Sequence, residues 1–344
     1  MLVDASYAHR GRTGTGVYLE ELVRALRARP DIEVVCVSQR RRLRPGGSGS
    51  RRNPLRSAAN LALDSAWTRF GLRRAARLAR ADVLHHPLPA RTPGLDRPQV
   101  VTVHDVAFER FPDAFDPAWR ALARRGHRAA VRRAGAVVCP SQVTAGDAVE
   151  LLGAARERVV VAPHGPGQPV PDTPDTRGTR RRHFLYLGSD EPRKRVASLL
   201  EAHSALGGDP ELVLAGEASR RAGAPGTSAE TDPSPQRVAE LLTGALALVH
   251  PAPLEGFGLT LLEAMAAGTP VVAVRSPSSE EVCGDAALLV EPGGLTGALR
   301  RVAEDAALRE RLSAAGRERA AGFSWQRSAE LHVRAYRLAL VAPS

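Results

Sequence analysis

The chain has 344 residues, of which 43% are hydrophobic, and a formal net charge of +11. This length predicts two domains, and the absence of any stretch of about 18 uncharged apolar residues excludes a membrane-spanning helix. Aromatic residues make up only 4% of the chain, so we do not expect nucleic-acid binding in spite of the basic charge. That charge is explained either by a GC-rich genome, which favours Arg, or by attraction to phosphate groups or an anionic membrane.

The first residues, Met1-Leu2-Val3-Asp4, predict a strand and carry no signal-peptide pattern, so we expect a cytoplasmic protein. The three cysteines, Cys36, Cys139 and Cys283, are far apart and odd in number. They support neither a disulfide framework nor a zinc site.

Short apolar runs alternate with amphipathic helical stretches in the first half of the chain. Helices are predicted at Gly16–Arg29 and Ala118–Arg133. Strands are predicted at Leu2–Ala5, Glu33–Ser38, Val83–His85, Val100–His104, Ala136–Pro140 and Val159–Ala162. This alternation indicates an α/β fold with a parallel sheet covered by helices on both faces.

Residues 165–182 are too rich in Pro and Gly for either element, and predict a linker between domains 1–164 and 183–324. The alternation then resumes, with helices beginning at Arg195 and Leu259. Strands are predicted at His183–Leu187, Glu211–Ala215, Ala245–His250, Val271–Val274 and Ala287–Val290. A helical tail, Leu295–Leu340, is interrupted around Gly322–Trp325. Because this tail exceeds what the second domain needs, we expect its last part, 325–344, to pack back on the first domain.

Residues 40–80 form an unusually basic region. An Arg-rich loop precedes a predicted helix, Ala58–Arg80, that carries Leu61, Trp67 and Phe70 among arginines. This is either an ordinary helix with a solvated face, which we favour, or a peripheral contact with the inner membrane face or the acceptor.

The strongest signal of a functional site is the segment from Ala245 to Gly268, which predicts a strand, a glycine turn and a helix. Gly256 and Gly258 allow backbone amides to approach a phosphate at the start of the helix. Glu255 lies at the mouth of the turn, and Glu263 lies two turns into the helix, where a carboxylate can hold ribose hydroxyls.

This segment, including Phe257, resembles the E-x7-E motif of retaining GT-B glycosyltransferases of family 4. The similarity extends through Tyr186–Lys194 and Thr102–Val106, and so covers nearly the whole chain. It implies two Rossmann-like domains that face each other across a cleft. It also implies transfer of a sugar from a UDP- or GDP-linked donor to a hydroxyl of a natural product, polysaccharide or lipid. Glu255 would then orient the donor sugar.

The resemblance implies that Lys194 binds the donor diphosphate. Composition supports this independently, because Lys194 is the single lysine among 48 basic residues, and Arg does not replace Lys well at a tight phosphate site. Many family members have an Arg where this chain has Ser189, so we expect Arg193 to supply the second positive charge.

The resemblance places His104 in the sugar and acceptor region, after a strand of the first domain. Gly14 and Gly16 flank Thr15 in a turn whose backbone amides approach the diphosphate or the acceptor. Asp105 is interpreted as a helix cap or a loop support, and Tyr18 as a core residue.

The sequence has no DxD motif at a strand end, so we expect a metal-independent reaction in which the nucleotide sugar is the substrate and no cofactor is needed. His104, Lys194 and Glu255 are the predicted catalytic residues. Two alternatives stay open: a GT-B-fold epimerase or phosphorylase, and a non-catalytic module that binds nucleotides or anions.

Overall fold

The computed structural model describes residues 1–8, 13–39, 54–167 and 183–342. The basic loop at 40–53 and most of the predicted linker, 168–182, lie outside these residues. Among the helices within these limits, none is long and apolar enough to cross a membrane.

The described residues form twelve short strands, all of which pair in parallel. In chain order they are β1 (Leu2–Asp4), β2 (Val35–Val37), β3 (Leu84–His86), β4 (Gln99–Thr102), β5 (Ala136–Cys139), β6 (Val159–Val161), β7 (His183–Leu187), β8 (Glu211–Ala215), β9 (Thr227–Glu230), β10 (Ala245–His250), β11 (Val271–Val274) and β12 (Leu288–Val290). Eleven of them lie within about two residues of the predicted positions. The exception is β9, which the sequence analysis did not predict.

The helices between these strands are of very different lengths. They are α1 (Gly14–Arg27), α2 (Pro54–Ala66), α3 (Leu72–Leu78), α4 (Ala107–Arg110), α5 (Pro117–Arg133), α6 (Gln142–Glu150), α7 (Val196–Ser204), α8 (Pro235–Gly244), α9 (Leu259–Ala266), α10 (Pro277–Cys283), α11 (Leu295–Glu304), α12 (Ala306–Ala321) and α13 (Trp325–Val341).

Two predicted helical stretches are more broken than expected. The Ala58–Arg80 stretch contains a π-helical segment, Trp67–Gly71. There the indole of Trp67 fills the space of a Gly71 side chain, since a Cβ at Gly71 would lie 2.3 Å from the ring. The C-terminal tail breaks additionally at Asp305, whose carboxylate caps α12 by accepting a hydrogen bond from the Leu308 amide at 2.8 Å.

The chain divides into two compact units, each with one six-stranded sheet. Unit 1 comprises Met1–Glu109, Pro117–Ala162 and Trp325–Ser344, and unit 2 comprises Arg110–Asp116 and Pro163–Ser324. The strand order is β2-β1-β3-β4-β5-β6 in unit 1 and β12-β11-β10-β7-β8-β9 in unit 2. Each unit is therefore a doubly wound, Rossmann-like α/β unit.

The last helix, α13, packs on the sheet of unit 1. Ala329, Val333 and Tyr336 are buried in the same core as Val100 and Val138 from the sheet. At the start of β5 the helix approaches the backbone so closely that a Cβ at Gly135 would lie 2.8 Å from the Cβ of Ala339. Helix α13 is thus a structural part of unit 1, although unit 2 precedes it in the sequence.

A buried hydrogen-bond chain ties α13 to the rest of unit 1, and we call it the Tyr18 network. The Tyr18 hydroxyl lies 2.8 Å from Thr102 Oγ1 and 2.9 Å from His332 Nε2. His85 Nε2 lies 2.9 Å from the same Thr102 oxygen, and the Tyr336 hydroxyl lies 3.0 Å from His85 Nδ1. These five side chains are at most 3% exposed.

The direction of every hydrogen bond in the network follows from its last acceptor. His332 Nδ1 lies 2.7 Å from the Ser328 carbonyl, which can only accept, so Nδ1 carries the proton. Burial lowers the pKa of His332 to about 4, so the ring is neutral and Nε2 must accept from Tyr18. Burial also lowers the pKa of His85 well below its ordinary value, so this ring is neutral as well. The donors therefore follow one another in the order Tyr336, His85, Thr102, Tyr18 and His332.

Candidate active site

The strand order of unit 2 creates a topological switch point between β7 and β10. From β7 the chain continues to β8 and β9 on one side, whereas β10 begins the succession to β11 and β12 on the other. The segments that follow β7 and β10 therefore diverge, and ligands of such sheets bind at this point, beyond the carboxyl ends of the strands. Lys194 follows β7, and Glu255 follows β10.

The segment after β7 is held by its own side chains. The Tyr186 hydroxyl donates to the Ser189 carbonyl at 2.9 Å, and Ser189 Oγ donates to Glu191 Oε1 at 2.9 Å. Arg193 Nε donates to the other oxygen of Glu191 at 2.8 Å. Lys194 ends the 3-10 turn that follows, just before α7.

The segment after β10 turns sharply into α9. Gly258 has a φ of 94°, a left-handed backbone conformation that favours glycine. The amide of Glu255 donates to Ser278 Oγ at 3.2 Å, which fixes the backbone at the mouth of the turn. The first-turn amides of a helix have no acceptor inside the helix and can bind an anion.

Lys194, Glu255 and His250 form a compact group that we call the ion-pair cluster. Lys194 Nζ forms an ion pair with Glu255 Oε1, and His250 Nε2 lies 3.2 Å from the same oxygen. Their side chains are 14%, 17% and 7% exposed, respectively. The structure therefore joins two residues that the sequence analysis predicted separately and adds a third that it missed.

The carboxylate of Glu255 is strongly stabilised in its charged form. Burial raises its pKa, but the close contact with His250 and the positive charge of Lys194 together outweigh burial. The pKa of Glu255 consequently lies well below its ordinary value of 4.5. Glu255 is a carboxylate at neutral pH and not a general acid.

The other predicted donor-binding residues of unit 2 lie around this cluster or beneath it. The Arg193 side chain is 12% exposed and engaged with Glu191. Glu263 is 3% exposed on α9. The Phe257 ring is 6% exposed and packs edge-on against His164, so any donor contact of Phe257 would come from its backbone. Gly256 is buried next to it.

His104 belongs to unit 1 and lies beyond the strand end that was predicted to contain it. Strand β4 ends at Thr102 because the chain then turns into α4, where Asp105 accepts from the Ala107 amide at 3.0 Å, as a helix cap does. His104 Nε2 donates to the Pro87 carbonyl at 3.0 Å, and its ring packs edge-on against Tyr18. Burial lowers its pKa to about 4, so the ring is neutral and Nδ1 is its basic nitrogen.

Gly14 and Gly16 lie in the first turn of α1, in unit 1. The Gly16 amide donates to Thr13 Oγ1 at 3.2 Å, so Thr13 caps the helix. A Cβ at Gly14 would meet nothing within 4 Å, so packing does not explain that glycine. Tyr18, further along α1, is fully buried, which confirms its interpretation as a core residue. The roles of Gly14, Gly16 and His104 in binding stay predictions.

Comparisons with known proteins agree with this architecture. The family model described as "Glycosyltransferase Family 4" matches residues 12–165, and "Glycosyl transferases group 1" matches residues 175–319. The O-antigen chain mannosyltransferase B of Escherichia coli is 25% identical over 266 residues, which cover 70% of each chain. The MMP alpha-(1->4)-mannosyltransferase of Mycolicibacterium hassiacum is 30% identical over 271 residues, 71% of this chain and 66% of the relative.

Among solved structures, sucrose-phosphate synthase from Thermosynechococcus elongatus superposes with a TM-score of 0.79 and covers 99% of both chains. At 18% identity this likeness shows the fold alone. The two family models follow one another along most of the chain, and their relatives are sugar-transferring enzymes. The chain belongs to glycosyltransferase family 4, has the GT-B fold, and is a glycosyltransferase.

Proposed function

We propose that this enzyme transfers a sugar from a nucleoside-diphosphate donor to a hydroxyl acceptor, with retention of anomeric configuration and without a metal ion. The observation that carries the proposal is the contact between Lys194 and Glu255 at the switch point of unit 2. It places one cation and one carboxylate where such sheets bind nucleotides.

These two charges match the charges that develop during the reaction. Cleavage of the sugar–phosphate bond builds negative charge on the diphosphate and positive charge at the anomeric carbon. A preorganised ammonium favours the first, and an ionised carboxylate favours the second. Lys194 therefore binds the leaving diphosphate, and Glu255 orients the sugar and stabilises its developing positive charge.

Neighbouring groups complete the donor site. The amides of Gly256 and Gly258, at the start of α9, bind phosphate oxygens, and Arg193 supplies a second positive charge. Glu263 holds the ribose hydroxyls. Glu263 is 3% exposed. This contact therefore requires the segment around α9 to move enough for the ribose to reach the Glu263 carboxylate.

The first donor to test follows from two relatives that match 70% and 71% of this chain. The two that are described above are named as mannosyltransferases, so UDP- and GDP-linked hexoses, with GDP-mannose first, are the donors to try. The acceptor is a hydroxyl group of a polysaccharide, lipid or natural product.

A thermal-shift screen with UDP-, GDP-, ADP- and dTDP-sugars identifies the donor, since a ligand that binds only the folded state raises the melting temperature. Product analysis with the labelled donor then defines the reaction. Transfer with retained configuration supports the proposal. An inverted product, a new nucleotide sugar from an epimerase, or dependence on inorganic phosphate as in a phosphorylase would contradict it.

The proposal assigns to Lys194 the charge neutralisation that a metal supplies in other transferases. Within the described part of the chain, no group of three or more His, Cys, Asp or Glu side chains is arranged to hold a metal ion. We therefore expect full activity in EDTA. Activity that is lost in EDTA and restored by Mg²⁺ or Mn²⁺ would refute a metal-free reaction.

We also propose that the helical region after the basic loop contacts an anionic membrane surface, where a lipid acceptor would lie. Leu61, Phe70 and Leu78 are 55%, 64% and 69% exposed, and exposed Arg74 lies between the last two at helical spacing. The exposed side chains of Phe70, Arg74 and Leu78, two apolar and one basic, fit the lipid–water interface. Sedimentation with vesicles that contain phosphatidylglycerol should fall in a Phe70→Ser/Leu78→Ser variant, and equal binding to neutral vesicles would overturn this assignment.

A further inference from the structure

We infer that His250 is a positioning residue for Glu255, and that it holds this carboxylate in place when Lys194 turns to the donor diphosphate. The inference rests on the proposed function, because it assigns His250 a task within that reaction.

The geometry of the contact differs from that of two other buried histidines of unit 2, His183 and His203. His183 and His203 each place Nε2 within 3.1 Å of a backbone carbonyl, of Leu241 and Pro210 respectively, which is a structural contact. His250 instead places Nε2 at a carboxylate oxygen, 3.2 Å away. The ring nitrogen of His250 therefore faces the carboxylate of Glu255 and not the backbone.

Both partners of Glu255 act on one of its two oxygens. Lys194 and His250 meet Oε1, and Oε2 makes no hydrogen bond within the residues that the structure describes. The two contacts therefore fix the rotation of the carboxylate and leave Oε2 for the hydroxyl groups of a sugar.

The ion pair and the proposed reaction make competing demands on Lys194. In the structure its ammonium neutralises Glu255, whereas in the reaction it must neutralise a diphosphate. When the diphosphate attracts the ammonium group of Lys194, the ion pair between Lys194 and Glu255 weakens. The contact with His250 remains, because His250 is at the end of β10 and is 5% exposed.

This exchange gives His250 a testable signature. Without the contact with His250, Glu255 would be misplaced in the reacting complex, although Lys194 would still bind the diphosphate. Loss of the contact should thus lower kcat and leave the affinity for UDP or GDP, which lack the sugar, unchanged. A hydrogen bond to a charged group corresponds to about a 10- to 100-fold change in rate.

The experiment compares His250→Gln with His250→Asn in the full-length enzyme, with the donor found in the screen. The Gln amide reaches the position of Nε2, whereas the shorter Asn amide does not. We expect Asn to lower kcat about 10- to 100-fold and Gln to restore most of it. His183→Gln, at a buried histidine of the same sheet, is the matched control and should keep kcat even where it lowers Tm.

The acid limb of the kcat profile gives a second readout. The titratable groups that face Glu255 are Lys194, His250 and the hydroxyl of Tyr186. The contact with His250 lowers the pKa of Glu255, so the Asn variant should lose activity at a higher pH than the wild type does.

Several outcomes would overturn the inference. These are wild-type kcat in the Asn variant, equal losses in the Asn and Gln variants, and a loss of UDP or GDP affinity in parallel with kcat. If neither variant folds, as judged by Tm, the role of His250 is structural and the inference is equally overturned. Failure of the proposed function itself is seen separately, as a wild-type enzyme that neither binds nor turns over any nucleotide sugar.

Discussion

The Tyr18 network of unit 1 and the ion-pair cluster of unit 2 both bring titratable side chains together, but they treat charge in opposite ways. In the network every group is neutral, fully buried and hydrogen-bonded in one direction to a final backbone carbonyl. In the cluster Lys194 and His250 both contact one oxygen of a carboxylate, which is kept ionised and stays partly exposed at a switch point. A buried network whose groups are neutral and hydrogen-bonded to one another stabilises a fold. An ionised carboxylate with one oxygen that makes no hydrogen bond within the protein can instead bind a ligand.

The largest effect should come from the cation of the cluster. Lys194→Ala removes the charge proposed to stabilise the leaving diphosphate, and we expect kcat/KM to fall about 10²- to 10³-fold. Lys194→Arg should restore only part, because a planar guanidinium does not reproduce a compact ammonium. Steady-state transfer rates test this, with Arg237→Ala as a control, since Arg237 pairs with Glu230 away from the switch point. Wild-type turnover in Lys194→Ala would show that the ion-pair cluster does not act in the reaction.

The two carboxylates of the motif should separate in their kinetics. Glu255→Ala should lower kcat, because its contacts are strongest as charge develops on the sugar. Glu263→Ala should raise the KM for the donor with little change in kcat, because a ribose contact is equal in ground and transition states. We expect each change to be about 10- to 100-fold. A reversed pattern would mean that the two roles are exchanged.

The network should respond through stability and not through chemistry. Tyr18→Phe leaves a donor on Thr102 and an acceptor on His332 without their partner, and should lower the free energy of unfolding of unit 1 by about 1–3 kcal/mol. Tryptophan fluorescence during urea unfolding measures this selectively, since all three tryptophans, Trp67, Trp119 and Trp325, belong to unit 1. Tyr186→Phe, in unit 2, is the control. An unchanged unfolding midpoint in Tyr18→Phe would show that the network is not stabilising.

The most gradual effect is a pH dependence of the same unfolding transition. The pKa of His332 falls from an ordinary 6.5 to about 4 in the folded chain. Below pH 6.5 the unfolded chain therefore takes up a proton that the folded chain does not, and stability should decrease as the pH falls towards about 4. One such histidine contributes about 1.4 kcal/mol per pH unit. Constant stability of unit 1 between about pH 7 and about pH 5 would contradict the neutral assignment.

The elements that the sequence predicts best are those with an apolar run and a turn signal, such as β7, β8 and β10, whose bounds agree residue for residue. Strand β9 was missed because Thr227-Ser-Ala-Glu230 has no apolar run, as suits the last strand at one edge of its sheet. A hydrophobic pattern reports burial, and an edge strand needs little of it.

The sequence predicted individual residues of the candidate site, but it did not predict the contacts between them. Lys194 is conspicuous by composition and Glu255 by its motif, yet their ion pair joins positions 61 residues apart and depends on the order of β7 and β10. His250 carries no local signal beyond its place at a strand end, before Pro251. The Tyr18 network is still less accessible, since Tyr18 and His332 are separated by 314 residues.

The position of α13 has a consequence for the way this protein is made on the ribosome. Strands β1–β6 are synthesised first, but the apolar surface around Val100 and Val138 is covered only when residues from Trp325 onwards have emerged. The intervening segment, Pro163–Ser324, has about 160 residues, which take roughly 8–30 s to translate at about 5–20 residues per second. At the end of that interval the sheet of unit 1 still lacks its covering helix, whereas unit 2 already has all its strands. A chain that stops before Trp325 should therefore contain a folded second unit and an aggregation-prone first one.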